Sequence, residues 1–239
     1  MKKSILAVAT ATIVSLSLTG CGEKKIEGAD SNKNTNAING VYSAYFSDYD
    51  DLSKNFVDNL KRINEDIAET EENTSISILR YLENVESSNT VMVPQVSGEK
   101  IKLRKKENYY SISLETKDLY SRPWLFFSFD DDDSNSYVKI TDFTEELEEL
   151  KTDNILEFMK QMDPIPDDDK FYPPYVTTDL KSVDMNGQFV DVIFSQMEND
   201  NRIYANFLYD NSMVIVCCSQ EKIDSGFLNE FGLGMLELR

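Results

Sequence analysis

The chain has no histidine, which narrows the chemistry it can perform before any other residue is considered. Ser-His-Asp triads, Cys-His nucleophile pairs and ordinary catalytic zinc sites are excluded. Paired carboxylates remain open, because glycoside hydrolysis needs only two Asp or Glu side chains. Asp131, Asp133, Asn135 and Asp142 occupy positions one, three, five and twelve of a calcium-loop spacing. Position six of such a loop turns on glycine, but here it is Ser136, and position nine is Lys139. A solvated acidic turn is the plainer reading of that stretch, and of the run Asp167-Asp168-Asp169. No cofactor is expected. Aromatic candidates for recognition are Trp124 in the cluster Trp124 to Phe129, and Phe171, Tyr172 and Tyr175 around Pro173-Pro174. Aromatics beside prolines in a loop suit binding, whereas those in a dense apolar run suit a core.

Three cysteines complete the reactive inventory. Cys217 and Cys218 are neighbours at the end of the run Met213-Val214-Ile215-Val216. In a strand their side chains point to opposite faces, so both read as small apolar residues. A vicinal disulfide acting as a redox switch is the alternative. Cys21 stands apart. Before it come Lys2 and Lys3, then an uncharged apolar stretch from Ser4 to Leu18. This is the charged and apolar order of a signal peptide, and it is short of the ~20 apolar residues a membrane span needs. The next four residues, Leu18-Thr19-Gly20-Cys21, resemble the lipobox of bacterial lipoproteins at every position. The resemblance implies cleavage of residues 1–20, a diacylglyceryl group on the Cys21 sulfur, and often an acylated new amino terminus. Two long acyl chains anchor stably because each buried methylene contributes about 0.8 kcal/mol. The expected location is the cell membrane, lipid-anchored and facing the extracellular side, or the periplasmic side in a cell with two membranes.

Residues 21–39 contain almost no apolar side chains after the cysteine, and read as a flexible tether. A coil of that length reaches roughly 25 Å. Residues 40–239 are enough for one sizeable domain. The chain carries a formal charge of −19, and loss of Lys2 and Lys3 with the leader takes the mature form to −21. So acidic a surface repels nucleic acid and anionic lipid, which excludes nucleic acid as a partner and favours cationic ones.

The elements that must position these residues follow from periodicity. Leu52, Phe56, Leu60, Ile63 and Ile67 lie on one face of a helix over Asp48–Glu69, capped by Ser47 or Asp48. Asn73–Ser88 admits a second helix, although Ile76-Ser77-Ile78 also alternates as a strand does. From Thr90 the period becomes two. Strands are expected at Val91–Val96 with Pro94 at an edge, at Ile101–Arg104, Tyr110–Leu114, Trp124–Phe129 and Tyr137–Ile140. Two helical segments, Phe143–Lys151 and Ile155–Met162, interrupt them. Asp167 to Pro174 reads as a loop. Asn186-Gly187 is the strongest hairpin signal, and Phe189–Met197, Ile203–Tyr209 and Met213–Cys218 are successive strands. A short strand Met235–Leu238 or a docked helix ends the chain. Helix, strands, helices and strands without a βαβ rhythm predict an α+β domain on an antiparallel sheet, with an N-terminal amphipathic helix and a helical insertion.

That order resembles the half-barrel lipoproteins similar to the bacterial lipoprotein carrier. Gly187–Phe194 and Ala205–Asn211 carry the closest local likeness. The resemblance implies a strongly curved sheet around a helix plug, with acyl chains held in the concave face. The leading functional expectation is a membrane-tethered, non-catalytic binding protein for an apolar ligand or a protein partner. An acidic sensor or structural subunit that docks a basic partner is the alternative from another class, and a carboxylate-based cell-envelope hydrolase is the third.

Overall fold

The computed structural model describes residues 35–38, 41–70, 76–95, 112–116, 123–129, 136–142, 155, 175–197 and 201–239. They form an α+β fold. In chain order the elements are β1 (Thr35–Ile38), β2 (Val41–Phe46), α1 (Tyr49–Thr70), α2 (Ile76–Ser88), β3 (Thr90–Gln95), β4 (Ile112–Thr116), β5 (Trp124–Ser128) and β6 (Tyr137–Asp142). After them come β7 (Tyr175–Met185), β8 (Gln188–Met197), β9 (Arg202–Tyr209), β10 (Ser212–Ser219), α3 (Gln220–Asp224), a 3₁₀ turn (Phe227–Asn229) and β11 (Gly232–Glu237). Nine strands make one antiparallel sheet in the order β1-β2-β4-β5-β6-β10-β9-β8-β7, and β3 pairs with β11 in a second, two-stranded sheet.

Helix α1 forms where its apolar repeat lies. The Asp48 carboxylate accepts the Asp51 amide at 2.9 Å, and the Asp51 carboxylate accepts the Ser47 amide at 2.8 Å, which satisfies donors at the helix start. All five repeat residues are at most 1 % exposed. Two strands precede this helix, so it is not the first element of the body, and β1 occupies the end of the stretch read as tether. Helix α2 ends at Asn89, whose φ of 51° and amide bond to the Val85 carbonyl make a left-handed C-terminal cap.

The sheet is two meanders joined where β6 pairs with β10. The β7–β8 hairpin turns on Asn186 (φ 53°) and Gly187 (φ 89°), and β9–β10 turns on Asp210 (φ 46°) and Asn211 (φ 60°). Both two-residue loops place φ above zero at each central residue, as a type I′ turn requires.

One face of the sheet meets α1, α2 and the small sheet in the larger core. Phe46, Phe127, Phe129 and Phe207 from the sheet pack there with Phe56 from α1 and Phe231 before β11. The chain's end is pinned into this layer: the Ser53 hydroxyl donates to the Glu237 carbonyl at 2.6 Å, and the Asn89 amide side chain to the Leu238 carbonyl at 2.9 Å. The terminal segment is therefore a strand, with no docked helix at residues 232–237. Pro94 sits where an edge strand tolerates it, since β3 has β11 as its one ladder partner. The expected helical insertion and the strand at 101–104 lie outside the described residues, except for Ile155, which is helical and buried.

Candidate functional site

Alternation along the strands sends every second side chain to the face opposite the helices. Register aligns a row across that face: Phe126 on β5, Lys139 on β6, Ile215 on β10, Asn206 on β9, Ile193 on β8 and Leu180 on β7. Strand β6 is the fifth of nine, so Lys139 stands at the centre of the sheet. It is 2 % exposed. Its ammonium lies 3.5 Å from the centroid of the Trp124 ring and 5.2 Å from that of Phe126. A desolvated cation over an indole gains about 2 kcal/mol from the ring quadrupole.

Polar groups accompany it. The Asn206 amide side chain is buried and donates to the Tyr204 carbonyl at 3.2 Å and, at 3.4 Å, to the Ser195 hydroxyl and the Ile193 carbonyl. Tyr137 is paired in register with Cys217. Its hydroxyl is buried with the Cys217 thiol as its polar neighbour and no well-formed hydrogen bond. Burial pushes the Tyr137 phenol well above its ordinary range, with Cys217 adding to the shift. Ile155 packs into this cluster beside Trp124, Tyr137 and Cys217. The centre of the face is thus a closed interior of aromatic, cationic and amide groups.

Toward β7 the same face opens. Leu180 is 46 % exposed and Phe189 74 %. Phe189 is the cross-strand partner of Asp184, and Asp191 stands two residues further along the same face of β8. Both carboxylates are exposed. The hairpin that carries them is held firmly. The Asn186 side chain donates to the Phe231 carbonyl at 2.9 Å, the Asn229 side chain to the Asp184 carbonyl at 2.9 Å, and the Asp184 carboxylate accepts the Gly187 amide at 2.7 Å. Met185 on the opposite face is buried in the main core. Two exposed apolar side chains, Leu180 and Phe189, thus stand on this hairpin on either side of the Ser182–Asp191 pair, with Asp184 across from Phe189.

The residues singled out from sequence fall in different places. Trp124 is 8 % exposed and belongs to the closed cluster, so it does not present a binding surface. Tyr175 opens strand β7 and is not a loop residue, because the pairing of β7 with β8 extends back to it. Asp142 is on strand β6, paired with Ser212, on the helix-facing side near Tyr81. Among the described residues no group of His, Cys, Asp or Glu is placed to hold a metal ion. Asp131, Asp133, Asn135, Phe171, Tyr172 and Cys21 lie outside the described residues. Cys217 and Cys218 are both buried, Cys217 in the outer cluster and Cys218 in the helix-side core, as alternation along a strand requires. Leu180, Phe189 and Lys139 were not singled out as site residues by sequence. The signal for Phe189 was present: β8 is apolar at Phe189 and Ile193 as well as at Val190, Val192 and Phe194, so it has apolar residues on both faces.

A shallow depression lined by Lys222, Ser225, Gly226, Phe227 and Glu230 contains one carboxylate, and so offers no pair of acids for hydrolysis. No family model, curated protein or solved structure matches this chain.

Proposed function

We propose that this chain is an extracytoplasmic lipoprotein, anchored through lipid on Cys21, whose acidic body binds a basic protein partner and performs no catalysis. The anchor rests on residues 1–21. No helix of the described residues is long and apolar enough to cross a membrane. One observation carries the choice of a protein over an apolar molecule. The helix-covered face of the sheet, where a half-barrel would hold acyl chains, is filled by the chain's own rings: Phe46, Phe56, Phe127 and Phe207 are fully buried there. Apolar surface is instead left open on the far side, at Leu180 and Phe189. The net charge of −19 directs that surface toward cationic partners.

Two experiments test the reading. Metabolic labelling with palmitate in the native host should mark the wild-type chain and leave Cys21→Ser unlabelled and released from the membrane fraction. In-cell cross-linking should then give a defined protein complex that weakens as salt rises, because exposed charge pairs are screened. An apolar molecule released in one-to-one amount on denaturing the body would replace this reading with the lipid-binding one.

A further inference from the structure

The β7 edge of the large sheet is built to accept an added strand. Among the described residues strand β7 is terminal in the sheet order, with β8 as its one ladder partner. In the two-residue turn closed by Met185 and Gln188, those two residues exchange hydrogen bonds with each other. Alternation then directs the N–H and C=O groups of Asp184, Ser182 and Leu180 away from β8. The Asp184 carbonyl confirms the phase, since it is taken by the Asn229 side chain outside the ladder. Ser182 and Leu180 continue the same row, are exposed, and take no hydrogen bond from outside the ladder among the described residues.

We infer that this edge binds an extended cationic segment of a partner protein by strand addition, with Leu180 and Phe189 as its apolar seat and Asp184 and Asp191 as its charge readers. Main-chain bonds along an edge supply affinity, and alternate side chains of the added strand supply specificity. A guest strand beside β7 has Leu180, Ser182 and Asp184 as its outer-face neighbours. Phe189 and Asp191 lie one strand further in on β8, where the aliphatic stem and charged head of a Lys or Arg extended over Ser182 can reach them. On the helix side, Lys181 is already engaged by Asp179 at 2.8 Å. A second copy of this chain fits poorly. Edge-to-edge pairing would bring together two bodies that each carry a charge of −19. An anionic lipid surface is repelled by the same charge.

This inference rests on the partner-binding reading and identifies its site. The test uses the full mature lipoprotein in detergent, with a fluorescent eight-residue peptide alternating Lys with Val and Thr, and its Glu-for-Lys counterpart. The Lys peptide should bind, weaken at least tenfold from low to high salt, and exceed the Glu peptide at least tenfold. Ser182→Pro removes one outward N–H without touching the ladder to β8. It should lower binding at least tenfold, as should Asp191→Lys, while both variants keep the wild-type unfolding midpoint. Binding of either variant within twofold of wild type, or equal binding of the Glu peptide, overturns the site. Self-association that Ser182→Pro abolishes would overturn the cationic occupant in favour of a second copy. The two readings fail separately. A host cross-link that survives Ser182→Pro retains the partner and rejects this edge. Lys-peptide binding without any host cross-link retains the edge and rejects the function.

Discussion

Lys139 offers the sharpest check on how the sheet's outer face is built, because the chain's single tryptophan reports on it directly. Truncating Lys139 to Ala removes three methylenes from a site 2 % exposed, worth about 2.4 kcal/mol at 0.8 per buried methylene. It also removes the cation 3.5 Å from the Trp124 ring, worth about 2 kcal/mol when desolvated. The expected loss for Lys139→Ala is therefore on the order of 4 kcal/mol. Lys139→Met keeps most of the stem and removes the cation, so it should lose less than Lys139→Ala, with the ring contact accounting for about 2 kcal/mol of its loss. Urea unfolding followed by Trp124 emission measures both. Native emission should also shift between wild type and Lys139→Met, since the charge nearest the indole has gone. An alanine variant within 0.5 kcal/mol of wild type, or emission identical in all three proteins, would mean that Lys139 is solvated and the cluster is not closed as described.

Other consequences can be measured with equal directness. Neither Cys217 nor Cys218 should react with a thiol reagent in the native state, and both should react on unfolding; mass spectrometry that finds a vicinal disulfide in the native chain contradicts their placement on opposite faces. Asn186→Ala should cost about 2 kcal/mol, since alanine lacks the polar side chain that lets asparagine tolerate φ 53° and loses the bond to the Phe231 carbonyl. An unchanged urea midpoint would remove that hairpin anchor. Stability should fall as pH rises above about 10, where tyrosines in the unfolded chain ionise. Burial raises the folded-state phenols of Tyr49, Tyr81 and Tyr137, with Asp142 adding at Tyr81, so the folded chain retains protons that the unfolded chain releases. With three such groups the slope approaches about 4 kcal/mol per pH unit. A flat urea midpoint from pH 9 to 11 would show that these hydroxyls reach solvent.

What could be read beforehand was what local chemistry controls. Helix α1 showed itself because five large side chains repeat on one face while most of the rest are charged or polar, a pattern that requires no knowledge of the partner layer. The turn at Asn186-Gly187 was visible too, because left-handed φ selects those residue types. Strand β7 was harder. Thr177-Thr178-Asp179-Leu180-Lys181 has no apolar alternation, and it is a strand because β8 folds back on it. In β10, Met213 to Cys218 is apolar without interruption because both faces of that central strand are covered, which erases the period of two that would have marked the faces. The same long-range cause hid Lys139. A lysine between Val138 and Ile140 reads as the solvent side of a half-buried strand, and its burial depends on Trp124, fifteen residues earlier, and on β10, some seventy-five residues later.

The order of strands adds a spatial argument to the proposed function. The lipid would be attached at Cys21, and the chain enters the sheet fourteen residues later at Thr35 in β1, which is one end of the nine-strand order. The proposed docking edge, β7, is the other end. Neighbouring strands lie ~4.8 Å apart, so eight intervals place the open edge about 38 Å from the anchored one, measured along the sheet. An anchor ahead of β1 would hold that end of the sheet nearer the bilayer than β7, the end proposed for docking. Moving the anchor to the carboxyl terminus, which packs against α1 through Ser53, would break this arrangement without altering the edge itself. Such a chain should bind the Lys peptide as the wild type does, yet lose its host cross-link. Retention of the cross-link would show that the separation of anchor and edge has no part in binding.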